Sequence, residues 1–161
     1  MAEPHLENML HQKPPKDEFG VQDLLDRAAR GVTSGDGAAV AALWEIPAYV
    51  LGDDVSMAVS SLEEAAKFLG GGKAQYNALG VVDTRADIEH LEEIGKRLVS
   101  VRVRWPWLDA NGKEVGGETS TYTLRRNDAG EWKFRVAVMH GAETRDWDEN
   151  VRRRLDDGRP S

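Results

Sequence analysis

The stretch LVSVRVRWPWLDANGKEVGGETSTYTLRR, residues 98–126, decides the fold of this chain. In residues 98–108, Val and Trp alternate with Ser and Arg, which is the two-residue period of a half-buried β-strand. Asn111-Gly112 is the signal of a two-residue type I′ turn, in which both residues have a positive φ. The stretch therefore predicts a β-hairpin with one apolar face.

The same turn predicts the register of the hairpin. If Asn111-Gly112 is the loop, Ala110 faces Lys113, and counting outward places Tyr122 opposite Val101. A bulge confined to the turn would leave this register intact further along the strands. The side chains that the register adds to the apolar face of the first strand are Glu118, Ser120 and Tyr122, beside Trp105.

Two further strands extend the hairpin into a four-stranded meander. One covers residues 82–94, and the other begins at Trp132 after the turn at residues 127–130. Simple alternation along the last strand puts Trp132, Phe134 and His140 on the inner face, so that His140 shares a face with Glu118. If the bulge expected at Gly116-Gly117 lay within the strand and not in the turn, it would reverse the assignment.

The first half of the chain predicts helices around a short hairpin. Apolar residues recur at helical spacing over residues 21–32, and a second helix follows through residue 44. Pro47 excludes further helix, residues 48–51 and 55–59 read as two strands, and residues 52–54 form their turn. Ser60 or Ser61 is expected to cap a third helix, which runs to the triple glycine at 70–72 and resumes over 75–79.

Composition excludes several classes of function. The chain has 161 residues, 40% of them hydrophobic, which suits one domain with a substantial core. Without cysteine it has neither disulfides nor thiolate sites, and no cluster of metal-ligand residues is visible, so no metal or cofactor is expected. A net charge of −7 disfavours a nucleic-acid partner, and no apolar run predicts a membrane span. A cytoplasmic location is the expectation.

The chain ends differ in composition from the middle. Residues 1–18 are polar and rich in proline, which predicts a disordered N-terminal arm, dispensable for folding. Residues 142–161 form a charged C-terminal tail, with a short helix predicted around 147–155. The predicted domain therefore covers residues 19–141.

The order helix, helix, β-hairpin, helix and four-stranded meander resembles the nuclear transport factor 2-like (NTF2-like) superfamily, which includes SnoaL-like polyketide cyclases and ketosteroid isomerases. The resemblance covers residues 20–141. It implies an α+β NTF2-like (cystatin-like) cone, with three N-terminal helices packed on a curved, mostly antiparallel sheet around a pocket. The motifs that carry it are Ser34-Gly35-Asp36, Leu43-Trp44, Ser61-Leu62-Glu63-Glu64 and residues 125–133.

The resemblance also implies where catalytic groups would lie. Ketosteroid isomerases use an aspartate base and two hydrogen-bond donors, a tyrosine and a protonated aspartate. The tyrosine donor position falls near Ala28, and the aspartate donor position falls near Tyr122, whose hydroxyl donates the same kind of bond. The base position falls at about Leu51 or Gly52, next to Asp53.

Two functions remain open at this point. The first is a pocket protein that binds a small hydrophobic or aromatic molecule. The second is a SnoaL-like enzyme of proton transfer (isomerase, cyclase, dehydratase or epoxide hydrolase type), with His140 or Asp53 as the base and Tyr122 as the donor. The hypothetical catalytic residues are thus Tyr122, His140 and Asp53, and the hypothetical ligand-binding residues are Tyr49, Trp105, Glu118, Ser120, Tyr122 and His140.

Each of these residues also has a structural interpretation. Asp53 is typical of a tight turn, Tyr122 of a wall residue with a satisfied hydroxyl, and the pair of Glu118 and His140 of a salt bridge at the rim. The opposite face of the sheet carries Arg102, Arg104 and several threonines. Following the superfamily, we expect a homodimer through that outer face.

Overall fold

The computed structural model describes residues 20–70 and 72–142, and the predicted arm and the tail beyond residue 142 lie outside the described residues. The order of elements agrees with the sequence prediction, and the third helix is in two parts. The helices are α1 (Gln22–Ser34), α2 (Gly37–Ala41), α3 (Leu62–Gly70) and α4 (Gly72–Ala78). The strands are β1 (Trp44–Gly52), β2 (Val55–Val59), β3 (Asp83–Thr84), β4 (Asp87–Gly95), β5 (Leu98–Leu108), β6 (Glu114–Arg126) and β7 (Trp132–Ala142).

The strands form one curved, mostly antiparallel sheet in the order β2-β1-β7-β6-β5, with β3 and β4 both paired to the outer edge of β5. Only the β1–β7 pair is parallel among the strands described. The predicted strand over 82–94 is divided opposite Pro106, whose nitrogen has no hydrogen to donate to the ladder. The Thr84 hydroxyl instead donates to the Pro106 carbonyl at 2.7 Å.

Ser61 caps α3, as the sequence predicted. Its hydroxyl accepts the Glu64 N–H at 3.1 Å, and the Glu64 carboxylate accepts the Ser60 N–H at 3.1 Å. This reciprocal arrangement satisfies two backbone donors at the start of the helix. The helix therefore begins directly after β2 and returns the chain over the sheet.

The predicted register of the central hairpin is confirmed. Tyr122 lies opposite Val101, Ser120 opposite Val103, and Glu118 opposite Trp105. All three valine and tryptophan partners are buried, so the two strands share one inner face. The side chains of Glu118, Ser120 and Tyr122 therefore point to the side of the sheet that carries the helices.

The turn of this hairpin differs from the type I′ prediction. Asp109 pairs with Lys113 across a three-residue loop, and Gly112, but not Asn111, has a positive φ. The Asp109 carboxylate accepts the N–H groups of Asn111 and Lys113 at 2.9 Å, a side-chain turn that competes with the two-residue form. A register shift beside Leu108 then restores the predicted pairing.

Strand β7 contains a bulge that reverses its alternation. Leu124 pairs with Phe134 but Thr123 pairs with Val136, so Arg135 is the extra residue. Beyond it Ala137 is buried, whereas Val138 is 38% exposed. The predicted inner position of His140 is therefore wrong, because alternation was continued through a residue that has no partner on β6.

Two hydrophobic clusters lie between the helices and the sheet. The first packs α1 against β4, β5, β6 and the start of β7, around Leu25, Val101 and Leu124. The second packs α3 and α4 against β1, β2 and the end of β5 around Val50 and Trp107. Trp44 packs against both clusters. The candidate site lies where the clusters meet.

Candidate ligand-binding site

A cavity of about 120 Å³ lies between the helices and the inner face of the sheet. Most of its lining is aliphatic or aromatic, and its polar side chains come mainly from β6. The helices and β1 contribute Ala28, Ala29, Val32, Val40, Trp44, Val50, Phe68 and Tyr76. The other strands contribute Thr84, Trp105, Glu118, Ser120, Tyr122, Phe134, Ala137 and Met139.

The hairpin brings together the predicted residues Trp105, Glu118, Ser120 and Tyr122, all of which line the cavity. The Trp105 indole N–H donates to the Tyr122 hydroxyl oxygen at 2.9 Å. Two strands that pair in register place these side chains side by side, which explains why the sequence could predict them.

The Tyr122 hydroxyl stays protonated over the usual pH range. Burial raises the pKa of Tyr122 well above its ordinary value, and the Glu118 carboxylate acts in the same direction because a second negative charge nearby is unfavourable. Hydrogen bonds from Ser120 and Trp105 lower the pKa but do not outweigh these effects. The cavity therefore contains a neutral phenol that can donate a hydrogen bond.

Tyr76 is a site residue that the sequence analysis missed. It is 5% exposed, and its hydroxyl donates to Glu118 Oε1 at 2.9 Å, from helix α4 to strand β6. The ring of Tyr76 also meets Trp107 edge-on, with the ring centroids 6.2 Å apart. The sequence predicted that a helix resumes after the triple glycine, but nothing local indicated which strand that helix would face.

Aromatic rings form one continuous wall of the cavity. Trp44 stacks on Phe134 with centroids 5.2 Å apart, and Phe134 meets Tyr122 edge-on at 5.0 Å. Tyr122 in turn meets Trp105 at 6.1 Å. Each contact holds its rings in a fixed orientation, because aromatic pairs prefer such stacked and edge-to-face geometries. The wall is therefore held together by contacts within the chain.

His140 lies on the outer face of the sheet, which corrects the hypothesis that it acts as a base in the pocket. Its Nε2 is 2.6 Å from the Thr121 hydroxyl, and the side chain is exposed. The predicted pair of Glu118 and His140 does not form, because the β7 bulge places the two residues on opposite faces. Met139 occupies the inner position instead.

Asp53 and Tyr49 also lie outside the cavity. Asp53 is exposed in the β1–β2 turn, which agrees with its structural interpretation. Tyr49 is 50% exposed on the outer face, while its neighbour Val50 lines the cavity. Strand alternation alone separates these two neighbours. Ala28, near which the resemblance to ketosteroid isomerases implied a tyrosine donor, lines the cavity, so α1 contributes a methyl group there.

Neither a metal centre nor a membrane span is found in the part of the chain that the structure describes. No group of three or more His, Cys, Asp or Glu within residues 20–70 and 72–142 is placed to hold a metal ion. Over the same residues, no helix is long and apolar enough to cross a membrane.

Comparison with known proteins gives a family and a fold. A family model described as "NTF2-like protein (DUF6841)" matches residues 17–142. No curated protein matches the sequence.

Three solved structures illustrate the shared fold. A domain of unknown function with a cystatin-like fold from Nostoc punctiforme superimposes with a TM-score of 0.61 at 13% identity, over 85% of this chain and 84% of that one. Aln2 from a Streptomyces species gives 0.59 at 18% identity, over 88% and 98%. A ketosteroid isomerase-like protein from Erwinia carotovora gives 0.56 at 14% identity, over 81% and 99%. At these identities the likeness concerns the fold alone.

Proposed function

Since this chain belongs to the NTF2-like protein family (DUF6841), whose model matches residues 17–142, we propose that its cavity binds a small, largely apolar organic molecule. The observation that carries the proposal is the cavity itself, with an apolar lining and a few polar groups gathered on β6. Binding sites for small molecules have this composition, in which apolar walls supply affinity and a few polar groups fix the orientation.

The size of the cavity limits the ligand. Its volume is about 120 Å³, whereas an engineered apolar cavity of ~150 Å³ holds one benzene molecule. A ligand of one ring or a few carbon atoms therefore matches this space.

Tyr122 is the proposed donor to an oxygen atom of the ligand. Its oxygen accepts the Trp105 N–H at 2.9 Å, and a hydroxyl that accepts one hydrogen bond becomes a better donor through polarisation. Its raised pKa keeps the proton in place.

We expect Tyr122→Phe to weaken the binding of cyclohexanone, a ring-sized acceptor, by about fivefold, since a lost hydrogen bond costs ~1 kcal/mol. The melting temperature should fall by a few degrees but the fold should remain, because the ring keeps its contacts with Phe134 and Trp105 while the buried Trp105 N–H loses its acceptor. Titration followed by NMR of the tryptophan indole signals measures both binding and its location. Tyr49→Phe removes a hydroxyl from the outer face and is the matched control. Equal losses in the two variants, or no saturable shift in the wild type, would contradict the proposal.

A second candidate function is proton transfer, favoured by a carboxylate and a phenol in the same apolar cavity. Glu118 would take the role of base that the sequence analysis gave to His140 or Asp53, and Tyr122 would stabilise the developing oxyanion. Exchange of the α-protons of cyclohexanone in D₂O tests it. General base catalysis contributes on the order of 10²–10⁴-fold, so Glu118→Gln should reduce the exchange by at least about 100-fold. Exchange at the buffer rate in the wild type would exclude this function for that ketone.

The outer face of the sheet is the proposed contact with a second copy of the chain. Tyr49, Leu51 and Val138 are 50%, 36% and 38% exposed there. Several charged side chains of this face form ion pairs within the chain: Arg104 with Glu114 at 2.6 Å, and Arg135 with Glu45 at 2.6 Å. The net charge of −7 makes two copies of the chain repel each other. A face on which charges are paired within the chain opposes a symmetric contact between two copies less than the rest of the surface does.

Light scattering at micromolar concentration is expected to give twice the mass of one chain. Leu51→Glu should restore the monomeric mass, because it adds two like charges across a symmetric interface. Glu93→Gln, on the exposed part of strand β4, is the control and should leave the dimer intact. A monomeric wild type would rule out a stable dimer.

A further inference from the structure

We propose that the ligand of this cavity is a small organic cation, with an ammonium group held between the Glu118 carboxylate and the aromatic wall. The inference rests on the proposed binding function and specifies its ligand class. Three observations carry it: the position of the carboxylate, the number of rings around it and the size of the space.

The first observation is the carboxylate. Glu118 lines the cavity, and among the described lining residues it is the one side chain that carries a formal charge. The Tyr76 hydroxyl donates to its Oε1 at 2.9 Å, which holds the carboxylate at one position in the cavity. The cavity therefore contains one acidic side chain at a defined position, with which an ammonium group can pair.

The second observation is the number of rings. Six aromatic side chains line this small space: Trp44, Phe68, Tyr76, Trp105, Tyr122 and Phe134. The face of an aromatic ring carries a negative quadrupole that attracts a cation within about 6 Å, and Trp is the strongest of these partners. Several aromatic rings that line one small space are typical of sites that recognise quaternary ammonium groups, which cannot form N–H hydrogen bonds.

The third observation is volume. The cavity of about 120 Å³ has room for a trimethylammonium group with a short substituent or for a small primary amine. A cation entering this space loses its hydration, and a carboxylate together with ring faces is what compensates for that loss. A neutral molecule of the same shape would gain the apolar contacts but not the electrostatic attraction.

Two isosteric probes separate these contributions. Choline and 3,3-dimethyl-1-butanol have the same shape and differ in the charge of the central atom. By isothermal titration calorimetry at low salt, we expect choline to bind the wild type at least about tenfold more tightly than the alcohol. The affinity for choline, but not that for the alcohol, should fall as the salt concentration rises.

Glu118→Gln should reduce the affinity for choline by about tenfold or more and leave that for the alcohol within about twofold, so that the preference disappears. Glu114→Gln is the matched control, because Glu114 pairs with Arg104 away from the cavity and its replacement should preserve the preference. The wild-type comparison stands without any variant, so a Glu118→Gln protein that fails to fold leaves the test intact.

The outcomes distinguish the two proposals. If the wild type binds the alcohol as tightly as choline or more tightly, the inference of a cationic ligand is overturned while the binding function stands. If choline, the alcohol and cyclohexanone all fail to bind, the proposed function itself is wrong. Binding of choline that Glu118→Gln leaves unchanged would assign the cation to another surface and overturn the inference.

Discussion

Ala137→Asp is expected to lower the free energy of unfolding by about 3 kcal/mol or more, whereas Val138→Asp should lower it by less than about 1 kcal/mol. Ala137 is 6% exposed and lines the cavity that also contains Glu118. A carboxylate there loses its hydration and meets a second negative charge in the same space. Val138 is 38% exposed on the outer face, where the same carboxylate remains hydrated in the monomer. Both variants are therefore compared at a protein concentration at which the chain is monomeric, because Val138 also lies in the proposed dimer contact.

The pair of variants tests the β7 bulge directly. An unbulged strand would place Val138 inside with Phe134 and would put Ala137 outside, so the order of the two effects would be reversed. Urea denaturation followed by tryptophan fluorescence measures both changes. Because each variant adds one negative charge, the comparison cancels the effect of net charge. Equal effects, or a larger effect at position 138, would show that β7 runs without the bulge.

Leu124→Ala is expected to cost about 3 kcal/mol of unfolding free energy, and Leu98→Ala less than about 1 kcal/mol. Leu124 is fully buried in the cluster between α1 and the sheet, so its removal loses apolar burial and leaves a cavity. Leu98 is 36% exposed at the start of β5, where water can reach the shortened side chain. Both are leucines on adjacent strands, so intrinsic strand propensity is matched.

The same denaturation experiment gives both values. An m-value that stays constant would confirm that the variants change stability and not the extent of unfolding. A loss at position 98 as large as that at position 124 would contradict the partial exposure of Leu98 at the start of β5. A small loss at position 124 would contradict the packing of the first hydrophobic cluster.

The polar groups of the cavity differ from the set that the resemblance to ketosteroid isomerases implied. Ala28 stands where a tyrosine donor is implied, Asp53 is exposed in a turn, and Tyr122 remains as a donor. The carboxylate of the cavity comes from Glu118 on β6, and Tyr76 on a helix fixes it at 2.9 Å. A shared fold with a different set of polar groups is the expected basis of a different ligand.

The sequence by itself determined the order of elements and the inner face of the central hairpin. Both depend on signals within a few residues: the two-residue period of β5, the helical spacing of α1 and the turn near Asn111. The turn type was wrong, yet the register held, because the shift beside Leu108 compensates for the longer loop. The prediction of Trp105, Glu118, Ser120 and Tyr122 in the cavity followed from that register.

Only the tertiary structure decided which face His140 occupies and which residue holds Glu118. The bulge at Arg135 is defined by the pairing of β7 with β6, in which Arg135 has no partner. The sequence of β7 alone therefore does not indicate it. Tyr76 and Glu118 are 42 residues apart, and their contact depends on how α4 packs against the sheet. Local periodicity relates a residue to neighbours on its own element, whereas these features arise between elements that packing brings together.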